Sequence, residues 1–140
     1  MDNMTRRQRS RHMSQIRVAG TKPEKVLRGM LKEMIDAPIS YNVRGLAGKP
    51  DIIVPRFKLA VFVDGCFWHG CPEHGKMPKS HKAYWIPKIV GNMLRDEENT
   101  IVLEEQGWTV WRIWEHDLQP DSVAKTRRRL ARRLKKLMGL

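Results

Sequence analysis

Long apolar runs are missing from these 140 residues, and with them the roughly 20 consecutive apolar positions that a membrane-spanning helix needs. The N-terminus, MDNMTRRQRSRHM, has no apolar core segment, so it does not read as a secretory signal, and a cytoplasmic location is expected. Cysteine is nearly absent, with Cys66 and Cys71 only. They lie so close in sequence that a bridge would close a tiny loop and constrain little of the unfolded chain. A shared metal or a pair of inert thiols fits better. Acid is scarce too, with 15 Asp and Glu against 27 Lys and Arg and a formal charge of +12. That excess points to a polyanionic partner, because each phosphate neutralised releases condensed counterions. Charge alone does not separate DNA from RNA. No repeat, low-complexity tract or linker divides the chain, whose length suits one packed core.

The pattern that is present alternates helix and strand. Residues 1–20 are polar and basic, with Arg6, Arg7, Arg9, Arg11 and Arg17, and read as an arm that stays mobile until it meets phosphate. Residues 21–140 form the folded domain. TKPEKVLRGMLKEMI (21–35) predicts a helix, with Thr21 as N-cap, Pro23 in the first turn, Glu24 in capping-box position and Leu27, Met30, Leu31 and Met34 as its buried stripe. SYNV (40–43) predicts a short strand. DIIVP (51–55) and LAVFVDG (59–65) predict two more, joined as a hairpin, the second apolar on both faces and therefore central. A long helix is expected from Ile86 to Gln106, with Pro87 in its first turn, Ile89, Met93, Val102 and Leu103 facing inward, and Gly107 ending it. WTVWRIW (108–114) reads as a strand. The segment 121–138 reads as a helix with Val123, Leu130, Leu134 and Leu137 on one face and arginine and lysine on the other. The expected class is α/β, a mixed sheet flanked by helices.

Three constellations carry chemistry. Asp51, after Pro50, opens one strand and Asp64 closes the next, so two carboxylates stand near strand ends. Such groups offer hard oxygen ligands to a divalent cation that neutralises a phosphate and acidifies an attacking water. Glu24 is a third acid within range of that chemistry, although it can simply cap its helix and Asp51 can simply be a turn residue. Next, Cys66, Cys71 and His74 supply three ligands from one loop, and zinc usually takes four. His116, just past the last strand, is the natural fourth if the two strand ends meet, which leaves His69 for other work. Two reduced structural thiols are the alternative. Finally, Phe67 and Trp68 are adjacent and so face opposite ways. They stack on bases, or one packs inside while the other covers the surface, and the residues alone favour the second.

Five separated blocks, RSRHMSQIR, TKPEKVLR, GKPDIIVPRFKLAVFVDGCFWHGC, YWIPKIVGNMLRD and GWTVWRIWEHDL, resemble in order and spacing the very short patch repair (Vsr-type) endonucleases, from about Arg9 to Leu118. The resemblance implies a restriction-endonuclease-like fold of the PD-(D/E)xK superfamily with a zinc-held loop. It also implies a magnesium-dependent nick beside a T:G mismatch, the product of 5-methylcytosine deamination. Carried over by matched position, Asp51 becomes the principal magnesium ligand, helped by the backbone carbonyl of Val63. Glu24 becomes an active-site acid and His69 the general base, a role suited to an imidazole. Phe67 and Trp68 become wedges at the mismatch and Met13 an insert from the opposite groove, while Lys88 and Asn92 read the mispaired bases.

Two departures from that pattern stand out. Val63-Asp64 replaces a Thr-His pair, so a second catalytic histidine is absent, and Asp64 is expected to bind the cation directly or through water. His116 takes the place of a cysteine, which still leaves a Cys2His2 zinc set of Cys66, Cys71, His74 and His116. The implied partner is double-stranded, mismatched DNA, met by a monomer without a membrane; mismatch-repair proteins are candidate companions. A related nuclease acting on other DNA, for example in defence, and a zinc-held DNA-binding module without catalysis are the competing readings.

Overall fold

Leucine and methionine at helical spacing wind Lys22–Met34 into the first helix, α1, burying Leu27, Met30 and Leu31, with Ile35 continuing the stripe through its N–H to the Leu31 carbonyl at 2.9 Å. The computed structural model describes residues 22–66, 71 and 81–139. Thr21, the expected cap of α1, and the arm 1–20 lie outside them.

Strand β1 is only Ser40–Tyr41, because Asn42 turns the chain with φ of 50°. Strand β2, Ile52–Val54, and strand β3, Leu59–Asp64, form the expected hairpin. Its turn is a single 3₁₀ stretch, Pro55–Phe57, closed by left-handed Lys58, whose N–H donates to the Pro55 carbonyl at 3.0 Å. Strand β4, Thr109–Trp114, pairs parallel with β3 from Leu59↔Thr109 to Asp64↔Trp114, while β1 with β2 and β2 with β3 are antiparallel pairs. The order β1-β2-β3-β4 makes β3 an inner strand, as its two apolar faces demand.

Parallel pairing requires a long crossover, and helix α2, Lys82–Glu105, supplies it. It begins a turn before Ile86, with the N–H groups of Tyr84 and Trp85 both donating to the His81 carbonyl. Pro87 therefore sits inside the helix rather than in its first turn. Its missing N–H removes one bond, the one that would reach the Ala83 carbonyl, and buried Trp85 and Ile89 anchor the turns on either side. Met93 is exposed instead of facing inward. The helix ends as expected at Gly107, φ 90°. The Gly107 N–H bonds the Glu104 carbonyl and the Trp108 N–H bonds the Leu103 carbonyl, both at 3.0 Å, which is the Schellman closure. Helix α3, Val123–Leu137, follows a 3₁₀ turn at Glu115–Leu118.

Alternation along the strands gives the sheet two different faces. Ile52, Val54, Leu59, Val61, Trp111 and Ile113 pack against Leu27, Leu31 and Ile35 of the α1 region and Leu118, Leu130 and Leu134 from the α3 side. Ile53, Ala60 and Phe62 point the other way, toward Leu103 of α2. The result is a mixed sheet covered by α1 and α3 on one face and α2 on the other. No helix among the described residues is long and apolar enough to cross a membrane.

Candidate active site and metal knot

The parallel register puts the end of β3 beside the end of β4, and this juxtaposition assembles the first half of the site. Cys66 follows β3 and His116 follows β4. Their Sγ and Nδ1 atoms stand 3.2 Å apart, Cys71 Sγ is 3.5 Å from the same nitrogen, and all three candidate ligand atoms lie within 4.8 Å of one another. Zinc bound to sulfur at about 2.3 Å and nitrogen at about 2.0 Å in tetrahedral geometry separates such atoms by roughly 3.5 Å. Two buried thiols converging on an imidazole therefore fit a thiophilic ion. Burial foremost pushes the Cys66 thiol up to about 12, against a lowering by a hydrogen bond with the backbone of His116. A bound cation is what makes a thiolate favourable in such a place. His74, the expected fourth ligand, lies outside the described residues, as do Met13, Phe67, Trp68 and His69.

The knot has an outer layer that sequence reading did not identify. Glu115 Oε1 accepts the Cys66 N–H at 2.9 Å, and the Cys71 N–H closes on the Cys66 carbonyl at 2.9 Å. His116 Nε2 lies 3.4 Å from Asp117 Oδ1, the carboxylate–histidine arrangement that fixes a ligating imidazole in orientation. Asp117 is held from α3 in turn, by Arg129 at 3.4 Å on its carboxylate and by the Thr126 hydroxyl at 2.6 Å on its carbonyl. Three polar residues in a row, Glu115-His116-Asp117, were the available signal: an imidazole between two acids right after a strand.

The second half of the site is at the same end of the hairpin. Asp51 precedes β2, and its Oδ2 accepts the Val63 N–H at 2.7 Å, beyond the last β2–β3 pair. In an extended strand the N–H and C=O of one residue point to the same side, so the Val63 carbonyl faces the edge where Asp51 sits. Carboxylate and carbonyl are hard oxygen donors and suit a small divalent cation. The Asp51 carbonyl accepts the Asn42 N–H at 3.0 Å, next to Tyr41. Arg28 of α1 lies over the Tyr41 ring at 4.4 Å and bonds Glu24 at 3.4 Å, so buried Glu24 is linked through Arg28 and Tyr41 to β1, the strand beside Asp51.

Asp64 belongs to another group. It lies on the α2 face, where Arg112 Nη1 bonds its two oxygens at 3.0 and 3.4 Å. The same guanidinium reaches Thr100 Oγ1 at 2.8 Å and the Asp96 carbonyl at 3.1 Å on α2, and lies 4.1 Å over the Phe62 ring. Lys88 and Asn92 are a turn apart on the first half of α2, Lys88 Nζ 5.1 Å from the Tyr84 ring centre and Asn92 Oδ1 accepting from Arg95.

Known proteins share both the sequence and the fold. Residues 1–74 match the family signature described as DNA mismatch endonuclease Vsr. The chain is 42% identical to the type II nicking enzyme V.NaeI of Lentzea aerocolonigenes over 83% of this chain and 72% of that protein. It is 33% identical to the DNA mismatch endonuclease Vsr of Escherichia coli K12, over 76% of this chain and 69% of that one. In three dimensions the catalytic domain of the homing endonuclease I-Bth0305I superposes with a TM-score of 0.54 at 20% identity, covering 79% of this chain and 91% of that domain. At that identity the likeness is one of fold alone.

Proposed function

The chain belongs to the Vsr family of DNA endonucleases, and from that premise we propose that it nicks one strand of a duplex beside a T:G mismatch, using magnesium. The observation that carries the catalytic part is the Asp51–Val63 contact at the open end of the hairpin, where a carboxylate is oriented by a backbone N–H beside a backbone carbonyl. These two oxygens would hold the cation, which when bound neutralises the scissile phosphate and lowers the pKa of a water. His69 takes the water's proton, and Glu24, linked through Arg28 and Tyr41, acts as the accessory acid. Asp64 shares its charge with Arg112, so its part is to set the end of β3 rather than to be the principal ligand.

The mismatch part rests on the family's description and on the matched positions of Lys88 and Asn92, one turn apart on α2. Phe67, Trp68 and Met13 would wedge the stack, which is cheaper at a mismatch than at a paired step. A zinc ion on Cys66, Cys71, His116 and His74 would fasten the strand ends. We extend the reading to a cytoplasmic monomer working beside mismatch-repair proteins, the setting the family resemblance implies. Several relatives bear the name of type II nicking enzymes, which favours one second reading, a nick set by sequence context rather than by mispairing.

A strand-labelled duplex with one T:G pair, in several contexts, and its T:A twin distinguish these. Wild type and Asp51→Ala are each tested with magnesium and with EDTA. The expected result is a magnesium-dependent nick in the T:G duplex alone, lost in the variant. Equal cutting of both duplexes would remove the mismatch from the proposal. Full cutting by Asp51→Ala would remove Asp51 from it.

A further inference from the structure

The outer face of the C-terminal helix is not used by the site described above, yet the helix carries the largest net charge of the described elements. Its sequence, VAKTRRRLARRLKKL, carries eight basic residues and no acid. Leu130 and Leu134 pack into the core, and Thr126 is tied to Asp117, so the helix is held by its apolar face. Two of its cations serve the fold: Arg127 pairs with Glu33 at 2.7 Å and Arg129 with Asp117 at 3.4 Å. Lys125, Arg128, Arg132, Arg133, Lys135 and Lys136 are exposed and have no acidic partner among the described residues.

Their placement is regular. Arg128, Arg132 and Lys135 fall at i, i+4 and i+7, on the ridge facing away from Leu130 and Leu134. At 1.5 Å per residue the three span about 10 Å along the axis, a row of charge rather than a point. The ridge starts beside the metal knot, through Thr126 and Asp117, and runs to the opposite end of the sheet. There Thr109, Trp111, Arg133, Lys136 and Leu137 line an open groove of about 420 Å³. Arg133 lies over the Trp111 ring at 5.5 Å. Desolvation first, and the like charge of Arg129 second, lower its pKa, and the groove lining offers no acid to balance it.

We propose that the outer ridge of α3, Arg128, Arg132 and Lys135 with Arg133 and Lys136 at its end, is a second duplex-DNA site that binds the phosphate backbone outside the segment held at the strand ends. It rests on the reading of the protein as a DNA endonuclease and not on the mismatch. Cations at helical spacing carry no base pattern, so the contact is independent of sequence. It would retain the enzyme on flanking DNA between encounters with its target.

The test compares wild type with the triple variant Arg128→Gln, Arg132→Gln, Lys135→Gln, whose substituted side chains all face solvent; thermal unfolding checks that the fold is kept. Binding to a fully paired duplex is measured in EDTA across a range of salt, so no cutting is needed. Each phosphate contact contributes about 0.9 to the slope of log K against log salt. The variant should therefore lose about 2–3 from the slope, making its loss of affinity per tenfold rise in salt roughly 100- to 1,000-fold smaller. Arg128→Lys with Arg132→Lys should keep the wild-type slope. An unchanged slope in the glutamine variant overturns the proposal. So does loss of binding to phosphatidylglycerol vesicles with DNA binding intact, which would make the ridge a membrane surface. Failure of the wild type to nick a T:G duplex would strike the proposed reaction, whereas the role of α3 stands or falls on the salt slope alone.

Discussion

The two faces of the sheet are held by different forces. On the α1 and α3 side, leucine, isoleucine and valine from three strands meet the stripes of two helices, and the contact is dry. Each such side chain contributes about 1.5–3 kcal/mol through burial, without regard to direction. On the α2 side the buried cluster among the described residues is smaller, Ile53, Ala60 and Phe62 against Leu103. Next to it Arg112 takes over, binding Asp64 on one strand, Thr100 and Asp96 on the helix, and lying over Phe62. A hydrophobic face tolerates sliding, whereas a guanidinium bonded at three places fixes position. The long crossover helix, which carries Lys88 and Asn92, is thus the element locked in register against the strand end that leads to Cys66, Cys71 and His116.

That contrast can be broken most severely at Arg112. Replacing it with alanine leaves the buried Asp64 charge without its guanidinium, a loss of about 3–5 kcal/mol, read from chemical unfolding. Arg112→Met combined with Asp64→Leu should recover most of that loss. A drop below about 1 kcal/mol in the single variant, the range of an exposed pair, would show that the polar face is incidental. On the dry face, Leu31→Ala, at a side chain with no exposed surface, should cost about 2–5 kcal/mol. There the companion measurement is nicking by the protein that remains folded, which should stay at the wild-type rate; a parallel loss of activity would argue that both faces position the site.

How much of this is legible in the sequence depends on whether a signal is local. The stripe of Leu27, Met30 and Leu31, the inner place of β3 and the Gly107 stop all follow from short-range patterns, and the structure reproduces them. The meeting of Cys66, Cys71 and His116 needs one assumption beyond such patterns, that two strand ends adjoin, and the structure meets it. The start of α2 is not legible, since Pro87 mimics a first-turn proline while the packing of Trp85 carries the helix a turn further. Met93 lies on the same stripe as Ile89 and Leu103 yet is exposed, which apolar periodicity does not reveal. The inward face of α2 includes Thr100 and Asp96, whose use is visible only once Arg112 is known to lie across from Phe62. The Arg112 partner of Asp64 is hidden for the same reason: it is 48 residues away.

Smaller effects sharpen the comparison at its margins. Gly107→Ala forces a side chain into the left-handed region and should cost about 1–2 kcal/mol, read from chemical unfolding. The new Cβ meets only the flexible Lys58 ammonium at 3.2 Å, so the backbone and not a clash sets the amount. A loss well above that range would mean that the Lys58 bond to the Gln106 carbonyl, 2.8 Å, is broken as well. Smallest of all is Arg127→Gln. Its pair with Glu33 joins α3 to α1 across the dry face, but the side chains are 48% and 65% exposed. Solvent screening keeps such a pair below about 1 kcal/mol, and a double-mutant cycle with Glu33→Gln should find a coupling that fades with added salt.

The parallel pairing of β3 with β4 also has a consequence in time. Leu59 and Thr109 are paired residues, yet about 50 residues of chain separate them. At roughly 5–20 residues per second of synthesis, the apolar edge of β3 waits several seconds for its neighbour to be made. Until then it is an open strand edge, the kind of surface on which chains join one another. Cys66 and Cys71 wait through the same interval for His116. The most exposed moment in the life of this protein therefore falls before β4 exists, and its yield should depend on how fast that strand arrives.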